Sequence, residues 1–313
     1  MVNRWIVVRR ALVAGGSALV ALAGLGVVPG CGGSYESAWD EEPTQTEQTG
    51  QSEGSASQRE QLIAQGDEAW QGRDDAEQIR AAITAWEQAV ELDGSDHETW
   101  IKISRAYYFL SDGHLRFTDE ASMAETYQQG IRAAERALRA LSPEFAEAMS
   151  SGQPIEGALG SLEANAVGAL YWRATNLGKW ARLDGFATVL GYKDEIRAIM
   201  TRCMELDRYY FFAGPDRYFG AFFAIAPSYA GGDLERSRQH FDESIRQQPN
   251  YFGTHVLYAE ELAVKLQDRD MFEEHLNLVI NGDPDALAEA GPENRVEQRK
   301  ARAALERIDE LFE

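Results

Sequence analysis

From Arg59 onward, apolar residues recur at intervals of three and four with few β-branched runs, the periodicity of amphipathic helices. In IRAAITAWEQAVELD, residues Ile79, Ile83, Trp86, Ala89 and Val90 share one helical face. Trp100, Ile103, Tyr107 and Leu110 do so in ETWIKISRAYYFLSD, as do Tyr127, Ile131, Ala134, Leu138 and Leu141 in YQQGIRAAERALRAL. Asp93-Gly94, Asp112-Gly113 and Ser142-Pro143 read as stops between helices. The pattern predicts an all-α fold over residues 59–313.

Within these helices small and aromatic residues alternate in a way that resembles the tetratricopeptide repeat, a helix–turn–helix unit of about 34 residues. Ala82, Trp86 and Ala89 fit the second helix of such a unit, with Gly66 and Trp70 before them and an inserted GRDDAEQ between. Ser237, Phe241, Ser244 and Pro249 give a second fit, with serine in place of alanine. The expectation is a TPR-like, α-solenoid-like body with degenerate repeats and a helical middle that departs from them.

The start of the chain follows another pattern. Arg4, Arg9 and Arg10 precede an uncharged apolar run, Ala11 to Val28, the arrangement of a secretory signal. VVPGCGGS then resembles a bacterial lipobox with Pro29 at an unusual place, which makes Cys31 the expected lipid attachment point and residues 1–30 the removed signal. The competing reading is a single membrane anchor, because a run of about 18 residues is the short limit for crossing a bilayer. Residues 31–58 are rich in Gly, Ser, Thr, Gln and Glu. They read as an acidic flexible tether, since such a composition cannot bury enough apolar surface to offset its chain entropy.

Charge removes one class of function. The chain carries −21, and −24 once the first thirty residues with their three arginines are set aside. No basic stripe interrupts it, so nucleic-acid binding is excluded. Cys203 is the other of two cysteines and sits among Met200, Met204 and Leu206, the setting of a buried small apolar residue. His97, His114, His240, His255 and His275 show no HExxH spacing, and GxSxG, P-loop and GxGxxG motifs do not occur. The sequence makes no positive case for catalysis, a metal or a cofactor.

Two stretches carry candidate binding chemistry. A helix expected from Ser161 to about Leu183 places Asn165, Ala169, Trp172, Asn176 and Lys179 or Trp180 on one stripe. That mixture reads either as the wall of a partly polar pocket or as ordinary packing with one polar edge. Nine aromatics then fall between Tyr209 and Tyr229, among them Tyr210, Phe212, Tyr218, Phe219, Phe222 and Phe223. Helical spacing alone cannot send all nine into one core, so a cavity, a subunit contact or a partner surface competes with a well-filled core. Pro227, Gly231, Gly232 and Asp233 read as a breaker: a helix end, a tight turn and the cap of the next helix.

ALYWRATNLGKWARL, the block ELDRYYFFAGPDRYFGAFFAIAPSYAGGDLERSRQHFDESI, FGTHVLYAEELAVKLQDRDMFEEHLNLVI and the C-terminal ENRVEQRKARAALERIDELF together resemble the TatT family, the T components associated with TRAP transporters. The resemblance covers roughly residues 60–313, and Pro227-x-x-x-Gly231-Gly232-Asp233 followed by His240-Phe241 is its most specific piece. It implies a periplasm-facing lipoprotein on TPR-like helices, a partnership with the periplasmic solute-binding (P) component, homo-oligomers and a hydrophobic small-molecule ligand. The outer membrane is the preferred site of the anchor, because Gly32 replaces the aspartate that retains some lipoproteins at the inner membrane. The rival expectation is a TPR scaffold lipoprotein of envelope assembly with no small ligand.

Overall fold

The computed structural model describes residues 34–41 and 53–312. The expected signal (1–30) and lipid attachment at Cys31 lie outside the described residues. Among the described residues every regular element is helical. Twelve helices organise the body: α1 Glu53–Gln71, α2 Ala76–Leu92, α3 His97–Leu110, α4 Met123–Leu141, α5 Pro143–Ser150, α6 Val167–Asp184, α7 Phe186–Leu206, α8 Tyr210–Ile225, α9 Leu234–Gln247, α10 Phe252–Leu257, α11 Arg269–Asn281 and α12 Gly291–Glu306.

Local chemistry sets the boundaries. Asp75, Asp96, Ser142, Asp233 and Asp268 each accept a hydrogen bond from a backbone N–H in the first turn of the helix that follows, which satisfies a donor the helix leaves orphaned. Pro143 occupies the first turn of α5, where its missing N–H costs nothing.

The long helices pack as consecutive pairs, α1 with α2, α3 with α4, α6 with α7, α8 with α9 and α11 with α12. Contacts of α2 with α3 and of α4 with α6 join the first three pairs. The α1–α2 and α8–α9 pairs share a packing device. Gly66 lies flat against the Trp86 indole and Gly220 against the Phe241 ring, so that an added Cβ would sit 2.3 and 2.6 Å from them. Ala82 and Ala89 flank Trp86, Ser237 and Ser244 flank Phe241, and all six are at most 1% exposed. First helices of successive pairs begin at Glu53, His97, Val167, Tyr210 and Arg269, so a 34-residue period does not recur.

Three sequence expectations change. Asp112-Gly113 is not a stop: Ser111–Leu115 continues α3 as a π-helical turn. The middle helix starts at Val167 rather than Ser161, because Leu162 is buried with extended backbone. The acidic tether is not uniform either. Its last residues, from Glu53, belong to α1, and residues 34–41 form a strap docked on α4, α5 and α6.

The strap meets a carboxylate that is fully buried, Glu135. Tyr35 Oη donates to Glu135 Oε1 at 2.6 Å and the Ala38 N–H to Oε2 at 2.7 Å. Arg173 Nε reaches the same carboxylate at 3.1 Å. Arg136 grips the Glu41 carboxylate at 2.6 Å and Arg139 donates to the Ala38 carbonyl at 2.8 Å. Tyr35 packs edge-on against Trp180, and Trp39 against Phe145. Composition averaged over the segment hid these residues among its glycines, serines and glutamates.

Candidate functional site: a cavity between aromatic and ionic walls

A cavity lies where α3, α6, α8 and α12 converge. It holds about 30 Å³, room for roughly two waters. Tyr108 and Phe109 of α3, Trp172 of α6, Phe211 and Tyr251 form its aromatic side. Arg105, Asp112, Glu293, Glu297 and Lys300 form its charged side.

The charged side is a buried ion network. Asp112 projects from the π-helical turn and is 4% exposed. It accepts from Lys179 Nζ at 2.7 Å and from Lys300, with the Tyr127 hydroxyl at 3.3 Å. Burial opposes its charge, but Lys179 and Lys300 outweigh that and hold its carboxyl well below the usual carboxylate range. Lys300 also pairs with Glu297 at 2.8 Å. Glu293 accepts from Arg73 at 3.0 Å and Arg105 at 2.8 Å. A π-turn inside a helix re-aims side chains and is frequent at functional sites; here it turns Asp112 inward.

The aromatic side is held by unusual backbone. Phe211, Phe212 and Ala213 are all left-handed, with φ of 46°, 58° and 54°. That conformation costs an L-residue roughly 1–2 kcal/mol, so the run is expensive unless its surroundings enforce it. Arg217 supplies part of the enforcement. Its guanidinium, on a residue 6% exposed, donates to the Phe211 carbonyl at 3.1 Å, the Phe212 carbonyl at 3.0 Å and Tyr171 Oη at 2.9 Å. It lies 4.5 Å from the centroid of the Tyr251 ring, within cation–π range.

The sequence candidates separate on this map. Trp172 lines the cavity, and its Nε1 donates to Tyr210 Oη at 3.1 Å. Phe212 stacks on Tyr251 at 4.9 Å, just behind the wall. Lys179 reaches the cavity through Asp112. Asn176 does not: it is fully buried between α6 and α3, donating to the Ser104 and Trp172 carbonyls. Trp180 packs under the strap, and Asn165 is exposed in a short 3-10 turn before α6. The expected single stripe therefore serves three environments, because α6 is buried on most of its circumference.

The aromatic block divides too. Tyr218, Phe219, Phe222 and Phe223 pack among themselves, with His240 against Phe219 and Phe223 and Arg236 over Phe223 at 4.0 Å. His240 Nδ1 lies 2.8 Å from the buried Asp216 carboxylate, which Arg208 also grips at 2.7 Å. Tyr229 is 85% exposed. Pro227 precedes a short 3-10 turn, Gly231 has φ 96°, and Asp233 caps α9.

Sequence reasoning missed most of the charged wall. Glu293, Glu297 and Lys300 stand at helical spacing of four and three on α12 and looked like a solvated face, yet none is more than 9% exposed. Val296 beside them was the available signal. Phe211 was one of nine aromatics, with nothing in its neighbours to mark its backbone. Cys203 is buried and its thiol pKa is pushed up by burial. His255 and His275, 20 residues apart, meet Nδ1 to Nδ1 at 2.9 Å, a pair no motif announced. Among the described residues no cluster of three or more metal-ligating side chains forms, and no helix is long and apolar enough to cross a membrane.

The described residues thus form a body of helical pairs around an aromatic and ionic cavity. The family model for the TRAP transporter T-component matches residues 118–312. The chain belongs to the TRAP transporter T-component family. It is also similar to a protein of Treponema pallidum (strain Nichols) described as uncharacterized, 26% identical over 199 residues, which covers 59% of each chain. The chain thus spans about three-fifths of the length of that curated relative.

Proposed function

We propose that this T component is a lipid-anchored accessory protein facing the periplasm, that it binds the solute-binding (P) component of its TRAP system, and that it binds a small apolar ligand. The family match over 118–312 carries the transporter assignment. The lipobox-like VVPGCGGS supports attachment through Cys31, and the aromatic side of the cavity, Tyr108, Phe109, Trp172, Phe211 and Tyr251, supports an apolar ligand. The TPR-like reading rests on the glycine–aromatic contacts of Gly66 with Trp86 and Gly220 with Phe241. Chemical crosslinking of the full chain in whole cells, followed by mass spectrometry, tests the partnership. Crosslinks to a TRAP solute-binding component are expected, whereas crosslinks confined to envelope-assembly proteins would favour a scaffold role. The intact mass of the membrane-extracted protein tests the anchor: it should begin at Cys31 and carry acyl chains.

A further inference from the structure

Read back from Trp39, the strap follows α6 toward the C-terminal end of that helix. The Arg173 guanidinium lies 5.3 Å from the centroid of the Trp39 ring. The Tyr35 ring lies 5.4 Å from Trp180 and 6.2 Å from Tyr192, centroid to centroid. Trp180 stands about two helical turns beyond Arg173. Cys31 precedes Tyr35 by four residues, a reach of at most about 14 Å even when fully extended. A lipid on Cys31 is therefore held close to the end of the body where α6 turns into α7. That corner is apolar. Leu183, Phe186 and Leu190 are exposed, Phe186 at 66%, and they are three of the nine large apolar side chains exposed among the described residues. Phe186 and Leu190 share the outer face of α7, whereas Thr188, Ile196 and Ile199 are buried on its inner face. No charged residue falls from Gly185 to Tyr192, and around that run Arg182, Lys193 and Arg197 balance Asp184, Asp194 and Glu195, in a chain of charge −21. Apolar side chains gathered on a surface mark an interaction site, whereas single ones do not.

We propose that Leu183, Phe186 and Leu190 rest in the lipid surface that holds Cys31, and that the docked strap thereby fixes which face of the body meets the membrane. This rests on the reading of Cys31 as the lipid attachment point and adds a second, non-covalent contact beside it. The length of the leash selects the occupant. Four residues between the anchor and a docked tyrosine keep the corner beside lipid at high effective concentration. Three side chains then suffice, where an unanchored protein would need a whole amphipathic helix. Charge agrees with this choice. A chain this acidic is repelled by an anionic surface, but the corner itself is balanced and suits zwitterionic headgroups. The buried ties of the strap, Tyr35 and the Ala38 N–H to Glu135, make it a rigid spacer and not a free tether.

Depth-dependent quenching in phosphatidylcholine vesicles tests this on the mature, membrane-extracted chain, whose intact mass is measured first. Cys203 is fully buried and the Cys31 sulfur carries the lipid, so one added cysteine takes an NBD label alone. The label is placed at Leu190→Cys or, as a control, at Leu278→Cys, an exposed position on α11, which packs on α10 and α12. Quenching by doxyl-labelled phosphatidylcholine is read for each. Leu190→Cys is expected to shift its emission to the blue and lose most of it to the doxyl lipid, and Leu278→Cys to do neither. Adding Leu183→Ser and Phe186→Ser to Leu190→Cys should restore most of the emission; both positions are exposed, so the core is untouched. A Gly/Ser segment of about 20 residues inserted between Gly33 and Ser34 should weaken the quenching, because it lowers the effective lipid concentration about ten-fold.

An intact mass without acyl chains overturns the anchor and the orientation with it. An acylated chain whose Leu190→Cys label stays in water overturns the orientation alone and leaves the anchor standing. A blue shift without quenching by doxyl lipid means that the corner is covered by protein, as in a contact with a second copy, and overturns the lipid contact. Equal quenching at Leu190→Cys and Leu278→Cys overturns a fixed face. Quenching unmoved by Leu183→Ser with Phe186→Ser overturns the role of the apolar corner, and quenching unmoved by the inserted segment overturns that of the strap.

Discussion

Asp112→Asn keeps the shape of the most connected side chain in the cavity and removes its charge. In the folded protein Asp112 serves two lysines, Lys179 at 2.7 Å and the buried Lys300. The amide would turn an N–H₂ toward one of them. Stranding a member of a buried ion pair costs about 3–5 kcal/mol. Lys300 would retain Glu297 at 2.8 Å, and Lys179, its side chain 30% exposed, could turn to water. A loss near the lower end, about 3 kcal/mol, is therefore expected. Urea unfolding followed by circular dichroism should show a lower midpoint with an unchanged slope. Adding Lys179→Met should return about 1 kcal/mol, because one stranded cation is gone. The pH dependence supplies a second arm. The folded-state pKa of Asp112 is depressed, so its contribution is present above the unfolded carboxylate range near pH 4 and is lost as pH falls through the folded value. The variant should lack that part of the acid slope. A loss under about 1 kcal/mol, or an acid slope identical to wild type, would refute the account of the network.

Other expectations follow from buried groups elsewhere. Burial, and for His275 also His255 and Arg238, lowers both histidine pKa values, His275 to about 4. The unfolded chain takes up protons near pH 6.5 that the folded pair refuses, so stability is full above that pH and declines toward about pH 4, by on the order of 1–3 kcal/mol in all. Urea midpoints across that window should flatten in His275→Gln, and an unchanged slope would count against the pair. Tyr35→Phe removes the donor to Glu135 and an acceptor for Arg173, which are 2.6 and 3.0 Å away. It should cost about 1.5–3 kcal/mol by denaturant titration, whereas no change would mean that the Tyr35 hydroxyl contributes nothing to stability. Gly232→Ala would place a Cβ 1.7 Å from the Ala226 carbonyl oxygen. The turn before α9 must then rearrange, at a cost of about 2 kcal/mol or more, and a melting temperature equal to wild type would contradict this geometry.

The helical body was legible because burial and period agree: Ile79, Ile83, Trp86, Ala89 and Val90 fall on one face and are all buried. The small–large–small signature marked two rings, Trp86 and Phe241, that meet a glycine of the neighbouring helix, but no repeat period stands behind them. Composition misled at the strap, where Tyr35, Ala38, Trp39 and Glu41 make the docking contacts. At the cavity Trp172 stood out by its size and its neighbours. The charged wall did not, because Glu293, Glu297 and Lys300 have the spacing of a solvated face and only packing with Asp112, Arg73 and Arg105 makes them internal. Asp112-Gly113 failed as a stop for the same reason. Its partners Lys179 and Lys300 lie 67 and 188 residues away, and no local signal reports them. The left-handed run at Phe211 is likewise imposed from outside, by Arg217 and the rings around it.

On the proposed function, this T component holds a solute-binding protein of its own transporter. The most direct test is an isothermal titration of the purified full chain with the P component from the same cells. Saturable binding at a fixed stoichiometry is predicted, weakened by substitutions on the surface the crosslinks identify. A flat titration with both proteins folded would contradict the account.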